Sequence, residues 1–144
     1  MYDYPVRFET DETGVAVFCR DLPELNSFGD NEAHALAEAV DAIETTLSLY
    51  VDQRRAIPAA SVALSGEHIV ALPAVTVAKI HLWNEMVARG MRKADLCRLL
   101  DLKPVTADRL VDFLHTSKIE QIEKALAAMG KRLQVSLEDY DANG

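Results

Sequence analysis

Cationic and hydroxyl side chains are concentrated between residues 92 and 118, where they could bind phosphates and base edges of double-stranded DNA. A bidentate arginine on guanine is the commonest specific contact in the major groove, so Arg109 is the candidate for reading a base. Lys103 and Thr106 could contact phosphate or bases, and three further cations, Arg92, Lys93 and Lys118, would fix the register through phosphates. Asp108 could accept a hydrogen bond from cytosine, orient neighbours of Arg109 or aid solubility, and these alternatives stay open. The candidate DNA-binding residues are Arg92, Lys93, Lys103, Val105, Thr106, Asp108, Arg109, Thr116, Ser117 and Lys118.

The stretch from residue 93 to 110 must position these side chains. Leucines recur at helical spacing before Asp-Leu-Lys-Pro (101–104), and the apolar period resumes at Ala107. The corner between two such helices needs a positive φ, which Asp101 tolerates better than most residues. Cys97 occupies the slot where the second helix crosses the first. The spacing predicts a helix-turn-helix, and an ordinary helical hairpin is the alternative. Its second helix would be pinned by Leu102, Ala107 and Leu110.

The segment after this motif favours the helix-turn-helix. Thr116 or Ser117 is a candidate N-cap for a further amphipathic helix that ends at Gly130. Such a layout is typical of Cro/repressor-type DNA-binding domains. The hydroxyls and the amides at that helix start could also hold a phosphate. An earlier helix over 75–89, with Trp83 on its core face, would open this all-α domain.

The charge of the chain is divided unevenly. The net charge is −8, but residues 1–74 carry four Lys/Arg against 13 Asp/Glu, and residues 75–144 carry 11 against 10. Without the acidic tail 138–144, the second half has a balance of +4. An acidic half suits a basic partner. Affinity for DNA grows with the number of phosphates that a protein neutralises, so one copy with a charge of +4 should bind DNA weakly. We therefore expect a homodimer and possibly a tetramer.

Residues 1–73 predict an α+β layer, a small antiparallel sheet with one long helix. Strands are expected over 4–9, 15–20 and 68–72, with an irregular crossing over 21–29. Asp30 is the candidate N-cap of the helix. Its apolar stripe is Leu36, Val40, Ile43, Leu47 and Tyr50.

The all-α DNA-binding and dimerisation domain is expected over 74–137, followed by a disordered tail over 138–144. A strand is expected in which Leu133, Val135 and Leu137 alternate with polar residues. It would either add an edge to the first sheet or pair two copies, and the second is favoured, which makes these residues the candidate dimerisation surface.

The residue spacing gives little support for a metal site or a catalytic site. The carboxylates of Asp3, Glu9, Asp21 and Glu44 lack the spacing of a two-metal nuclease centre, and the four histidines are scattered. Both cysteines are expected as buried free thiols. We therefore predict no metal, no cofactor and no catalysis. The chain has neither a signal peptide nor an apolar stretch of about 20 residues, which predicts a cytoplasmic protein and no membrane partner.

The order of landmarks in the first half resembles the HicB antitoxin family. The landmarks are Tyr-Pro-Val (4–6), Asp-Leu-Pro-Glu-Leu (21–25), Phe-Gly-Asp-Asn-Glu-Ala (28–33) and Ile-Pro-Ala (57–59). The second contains the family's "D-x-P", and the third fills most of its "G-D-x-x-x-E-A", although an acidic residue directly precedes the alanine at Glu32. One branch of the family joins this domain to a C-terminal helix-turn-helix, so the resemblance covers nearly the whole chain.

The resemblance implies one half of a type II toxin–antitoxin pair. The N-terminal domain would have a partial ribonuclease-H-like fold that blocks HicA, a small basic ribonuclease toxin with a catalytic histidine. The C-terminal domain would dimerise and repress the operon by binding operator DNA. The alternative is a stand-alone helix-turn-helix regulator whose first domain senses a small ligand, and a metal-dependent nuclease is the third possibility.

Overall fold

A computed structural model describes residues 1–139 and shows a mixed α+β fold. The chain forms two compact units, the first of residues 1–49 and 58–72, and the second of residues 50–57 and 73–139. The strands are β1 (Tyr4–Asp11), β2 (Gly14–Phe18), β3 (Ser27–Gly29) and β4 (His68–Val70). The helices are α1 (Glu32–Asp52), α2 (Ala74–Ala88), α3 (Lys93–Leu100), α4 (Pro104–Leu110) and α5 (Ile119–Ala128).

The sheet of the first unit is antiparallel, with strand order β3-β2-β1-β4. The predicted hairpin and the strand near residue 68 are confirmed. Strand β3 was missed, because three residues inside a segment rich in turn formers give no alternation that a sequence can show. Side chains alternate between an inner and an outer face, and the inner face is buried. Its buried members are Tyr4, Val6, Val15, Val17 and Val70.

The first half of α1 packs through alanines rather than through the predicted larger residues. Leu36 is 38% exposed, whereas Ala35 and Ala39 are buried. A Cβ on Gly29 would lie 2.3 Å from the backbone nitrogen of Ala35, so strand and helix approach too closely for a leucine between them. The prediction for Leu36 is therefore wrong. The later positions of the stripe, Ile43, Leu47 and Tyr50, are buried as predicted.

The N-cap of α1 is Asn31 rather than Asp30. The Oδ1 atom of Asn31 accepts a hydrogen bond from the backbone N–H of His34 at 2.9 Å, which satisfies a donor of the first turn. The backbone N–H of Asp30 instead donates to His34 Nδ1 at 2.9 Å. The prediction was one residue early because both side chains are good caps, and the backbone decides between them.

The Asp21 landmark has a structural role in the first unit. Its Oδ2 accepts from the backbone N–H of Ser61 at 2.9 Å, and its Oδ1 accepts from the hydroxyl of the same residue. The carboxylate thereby fixes the loop between α1 and β4. This explains why an aspartate stands at the end of the hairpin without any need for metal chemistry.

In the second unit, α2 holds the segment 50–57. Trp83 is 1% exposed, as predicted for a core residue, and its Nε1 donates to the carbonyl of Arg55 at 2.8 Å. The side chain of Asn84 bonds both backbone groups of Ile57, at 2.8 and 2.9 Å. No helix in the described part of the chain combines the length and apolar character needed to cross a membrane.

Residues 131–139 form neither a helix nor a strand in the single chain, and the predicted pairing of this segment between two copies stays a prediction. Leu133 is partly exposed, Val135 is 88% exposed and Leu137 is 99% exposed. A strand needs a hydrogen-bonding neighbour, and alternation alone does not supply one. The remainder of the predicted tail, residues 140–144, lies outside the described residues.

Candidate nucleic-acid interface

Helices α3 and α4 are joined by a three-residue corner with a left-handed residue at its start. Asp101 has φ 54° and ψ 53°, the conformation predicted from its tolerance of positive φ. The backbone N–H of Leu102 donates to the carbonyl of Cys97 at 2.9 Å and closes the corner. Leu96, Ala107 and Leu110 are buried between the helices of this unit. The helix order and the corner are those that the helix-turn-helix prediction requires.

Helix α4 contains four of the ten predicted DNA-binding residues, and a fifth lies at its N-cap. Lys103 stands at the N-cap position, and Pro104 opens the helix, where a missing N–H is harmless. Val105 is 57% exposed, and Arg109 is exposed on the same side one turn later. Thr106 is only partly exposed, because it lines a separate groove with residues of α3 and α5. The structure therefore brings Val105, Asp108 and Arg109 onto one exposed side of α4, with Lys103 exposed at the N-cap and Thr106 only partly exposed.

Asp108 forms an ion pair with Lys93 of α3 across the motif. Both side chains remain substantially exposed, at 53% for Asp108 and 42% for Lys93. They border a groove of about 510 Å³ between α3 and the start of α4, which Ala94, Cys97 and Pro104 also line. Asp108 therefore holds the ammonium group of Lys93, a role that residue spacing could not reveal.

Arg98 is a cation at this groove that the sequence analysis did not select. Its side chain is 73% exposed and pairs with Asp95, three residues earlier on α3. The backbone N–H of Arg92 donates to Asp95 Oδ2 at 2.8 Å. This hydrogen bond, together with the positive charge of Arg98, holds the pKa of the Asp95 carboxyl below its ordinary value of 3.8. Arg98 follows the helical spacing of the other exposed residues of the motif, and this spacing could have identified it from the sequence.

The three candidate residues in the loop before α5 differ in their exposure to solvent. Thr116 and Lys118 are exposed, whereas Ser117 is buried and its hydroxyl donates to the carbonyl of Arg109 at 3.2 Å. The N-cap position of α5 is Lys118, so the prediction of Thr116 or Ser117 as the cap is wrong. The serine hydroxyl is used by the backbone of α4 instead. Ser117 thus supports the motif from within.

Lys79 of α2 is a buried lysine that the sequence analysis missed. It is 1% exposed, and its Nζ donates to the carbonyls of Arg109 at 3.0 Å, Asp112 at 2.7 Å and His115. These carbonyls lie at the C-terminal end of α4 and in the turn that follows, where a positive charge also favours the helix dipole. A lysine four residues before Trp83, on the core stripe of α2, was the signal for this role.

Both cysteines are free thiols, and they differ in their exposure to solvent. Cys19 is buried, and burial raises the pKa of its thiol above the ordinary value of 9.0. Cys97 is a free thiol but is partly exposed, so the expectation of burial is wrong there, because the groove between α3 and α4 leaves it open. Among residues 1–139, no three His, Cys, Asp or Glu side chains converge closely enough to hold a metal ion.

The matching family model and the similar known proteins all indicate the same family. A family model described as "HicB_like antitoxin of bacterial toxin-antitoxin system" matches residues 3–81, more than half of the chain. Antitoxin HicB of Pseudomonas fluorescens (strain Pf0-1) is 42% identical over 139 residues, covering 96% of this chain and 95% of that protein. Antitoxin HicB 2 of Photorhabdus laumondii subsp. laumondii is 43% identical over 132 residues, covering 92% and 94%. Antitoxin HicB of Escherichia coli (strain K12) is 29% identical over 133 residues, covering 92% and 96%.

These matches identify the class as the antitoxins of bacterial toxin–antitoxin systems. The chain belongs to the HicB-like antitoxin family. The similarity to the relatives extends through both units, so it includes the candidate nucleic-acid interface as well as the sheet.

Proposed function

We propose that this chain neutralises a basic HicA-type ribonuclease toxin with residues 1–73 and represses its own operon with residues 74–137. Both actions are binding, without catalysis by the chain itself. The toxin would be held by the acidic first unit. Operator DNA would be held by α4, its N-cap Lys103, and the neighbouring ends of α3 and α5.

The observation that carries this proposal is the division of charge between the two units. Residues 1–49 and 58–72 contain two arginines and no lysine against twelve acidic residues, a balance of −10. Both arginines are already in ion pairs, Arg7 with Glu9 and Arg20 with Glu67. Complementary potentials steer encounter and disfavour wrong partners. A basic protein is therefore the favoured partner of this unit, and nucleic acid is disfavoured there.

The second unit is suited to DNA only as an assembly. Residues 50–57 and 73–139 contain thirteen Lys/Arg and ten Asp/Glu, a balance of +3. Affinity for DNA grows with the number of phosphates that are neutralised, so one copy is a weak binder at physiological salt. A homodimer, possibly paired into a tetramer, doubles the contacts and reads two half-sites. The exposed apolar residues Leu133, Val135 and Leu137 are proposed as the surface on which a second copy pairs.

The alternative of a stand-alone regulator that senses a small ligand is less favoured. A depression in the first unit, lined by Arg7, Phe18, Arg20 and Glu67 among others, has a volume of about 240 Å³. Ligand sites usually have volumes of about 300–1,000 Å³ and offer convergent polar groups to the ligand. Here the two guanidinium groups are already occupied by carboxylates.

Co-expression with the product of an adjacent short gene for a basic, histidine-containing protein tests the toxin arm. We expect that product to stop growth alone, and we expect growth to recover with a stable complex when this chain is present. No toxicity and no complex would remove the antitoxin function and leave the regulator.

The DNA arm is tested by titrating the upstream region of the operon at two salt concentrations. Sedimentation of the chain lacking residues 131–144 tests the dimer surface, and an intact dimer would exclude that segment.

A further inference from the structure

The sheet of the first unit presents a second face that carries large apolar side chains to solvent. The strand register pairs Phe18 with Arg7, Phe28 with Ala16 and Ile69 with Pro5, so all six lie opposite the buried inner face. The three large residues come from β2, β3 and β4 and are each substantially exposed. We call them the outer sheet face: Phe18 (40% exposed), Phe28 (47%) and Ile69 (53%).

These residues extend across the whole sheet. Three strand spacings separate β3 from β4, which corresponds to about 14 Å. The guanidinium of Arg7 lies 4.8 Å from the centre of the Phe18 ring and is also paired with Glu9. The cation on this face is thus neutralised, and the surrounding unit is strongly acidic. An apolar centre with a polar rim is the usual anatomy of a protein interface.

The loop before β4 extends this surface and is held rigidly. Arg20 Nη2 donates to the carbonyl of Val62 at 2.6 Å, and its Nε donates to Glu67 at 3.0 Å. Glu67 in turn accepts from the backbone N–H of Leu64 at 2.7 Å. Val62 is 88% exposed and Leu64 is 61% exposed on this fixed backbone. A surface that is already ordered loses less entropy when a partner binds.

We propose that the outer sheet face and the loop 62–67 together form the docking surface for the basic toxin, an inference that rests on the proposed antitoxin function. The Arg20–Glu67 pair connects the two parts, because it lines the same depression as Arg7 and Phe18. The charge balance of −10 selects a cationic partner, and the apolar residues require that partner to present an apolar centre ringed by Lys or Arg.

The exposed side of α1 is the competing surface in the same unit. It is acidic too, with Glu32, Glu38 and Asp41 exposed. Its exposed large aliphatic residue is Leu36, at 38%. Charge alone therefore does not separate the two surfaces. The concentration of aromatic and aliphatic residues favours the sheet and its loop, because desolvated apolar anchors dominate binding energy.

Matched charge insertions separate these surfaces. Ile69→Lys places a positive charge on the outer sheet face, and Leu36→Lys makes nearly the same chemical change on α1. Val62→Lys probes the loop at a residue so exposed that folding is not at risk. Each full-length variant is titrated by calorimetry with a HicA-type toxin from the same genome, whose catalytic histidine has been replaced. Circular dichroism and sedimentation of each variant report its folding and oligomeric state.

We expect the dissociation constant to rise about 30-fold or more for Ile69→Lys and Val62→Lys, as for residues in the centre of an interface. Leu36→Lys should stay within about threefold of the parent chain, as a substitution outside the interface does. Unchanged binding by both sheet-side variants, or selective loss with Leu36→Lys, would overturn the proposed surface while the antitoxin function stands. A change of oligomeric state without loss of toxin binding would assign the surface to a second copy and also overturn it. If the parent chain itself fails to bind the toxin, the proposed function fails and this inference with it.

Discussion

Replacement of Lys79 by methionine tests how the second unit builds its candidate interface. The ammonium group has three N–H donors, and three carbonyls, of Arg109, Asp112 and His115, accept from it inside the protein. Methionine has a similar length and fills irregular apolar space well, so packing is largely preserved. The change therefore removes the charge and its donors with little loss of volume.

The magnitude follows from two opposing contributions. The variant loses three hydrogen bonds from a charged donor, each of which contributes about 1.5–3 kcal/mol. In the other direction, the folded variant no longer buries an ammonium ion, which costs several kcal/mol in the parent chain. We expect a net decrease of about 3 kcal/mol in the free energy of unfolding, near the lower end of values for removing one partner of a buried charged interaction.

The assay uses the single tryptophan as a reporter of the second unit. Trp83 is buried on the same helix as Lys79, so its fluorescence follows the unfolding of that unit in urea. Lys124→Met is the control, because Lys124 is an exposed lysine on α5 and its loss should change stability by less than about 0.5 kcal/mol. If the two variants unfold at the same urea concentration, Lys79 contributes nothing and the reasoning is refuted.

A DNA titration of folded Lys79→Met separates positioning from general stability. Loosening the end of α4 and the turn after it should weaken operator binding about tenfold, or ~1.4 kcal/mol, even where the variant is fully folded. Unchanged operator affinity in a destabilised variant would mean that Lys79 holds the fold without positioning the interface.

Three further substitutions test other parts of the structure. Arg109→Ala should lose about 1–3 kcal/mol on the operator and relax the preference at one base pair, whereas Lys118→Ala should weaken all DNA about equally. Titrations with operator and unrelated DNA check this, and unaltered preference in Arg109→Ala would exclude α4 as the reading helix. Gly29→Ala places a Cβ 2.3 Å from a backbone nitrogen of α1 and should destabilise the first unit by about 1–3 kcal/mol in urea unfolding; an unchanged midpoint would show that the helix can shift freely. Hydrogen bonds from Arg20 lower the pKa of the Glu67 carboxyl from its ordinary 4.5, so its contribution to stability is complete above that pH and is lost as pH falls through the folded value. Melting temperatures between pH 7 and pH 3 should therefore fall more steeply for the parent chain than for Glu67→Gln, and parallel curves would contradict the role of that pair.

Helical and strand periodicity predicted most of the elements because these signals are local. The positive φ at Asp101 and the burial of Trp83 followed from residue type and spacing alone. Leu36 was placed wrongly because the distance between a helix and a sheet is a tertiary property. Gly29 indicates a close approach only when its neighbour across the packing is known. The C-terminal segment is irregular in the single chain for a related reason, since a strand depends on a partner that alternation does not identify.

The exposed residues of the candidate interface could be predicted from the sequence, whereas the contacts of the buried residues that support them could not. Exposed residues such as Val105 and Arg109 follow from the helical period once the corner is fixed. Ser117 looked like a phosphate ligand because hydroxyls are frequent there, but it bonds a carbonyl of α4 instead. Lys79 lies 30 residues before Arg109, whose carbonyl it binds. The local pattern places Lys79 on the buried side of α2, but it does not identify the distant carbonyls that the lysine contacts.

If the second unit binds DNA as proposed, the ion pairs of the candidate interface make a second copy important. Lys93 and Arg98 are held by Asp108 and Asp95 on the same surface, so phosphate must compete with a carboxylate for each of them. That competition lowers the affinity of one copy for any DNA, because fewer counterions are released per molecule bound. We expect the competition to lower non-specific binding more than operator binding, since the proposed base contact by Arg109 does not depend on either pair. Under the proposed repressor function, a dimer on two correctly spaced half-sites would recover the lost affinity while keeping the discrimination between operator and other DNA.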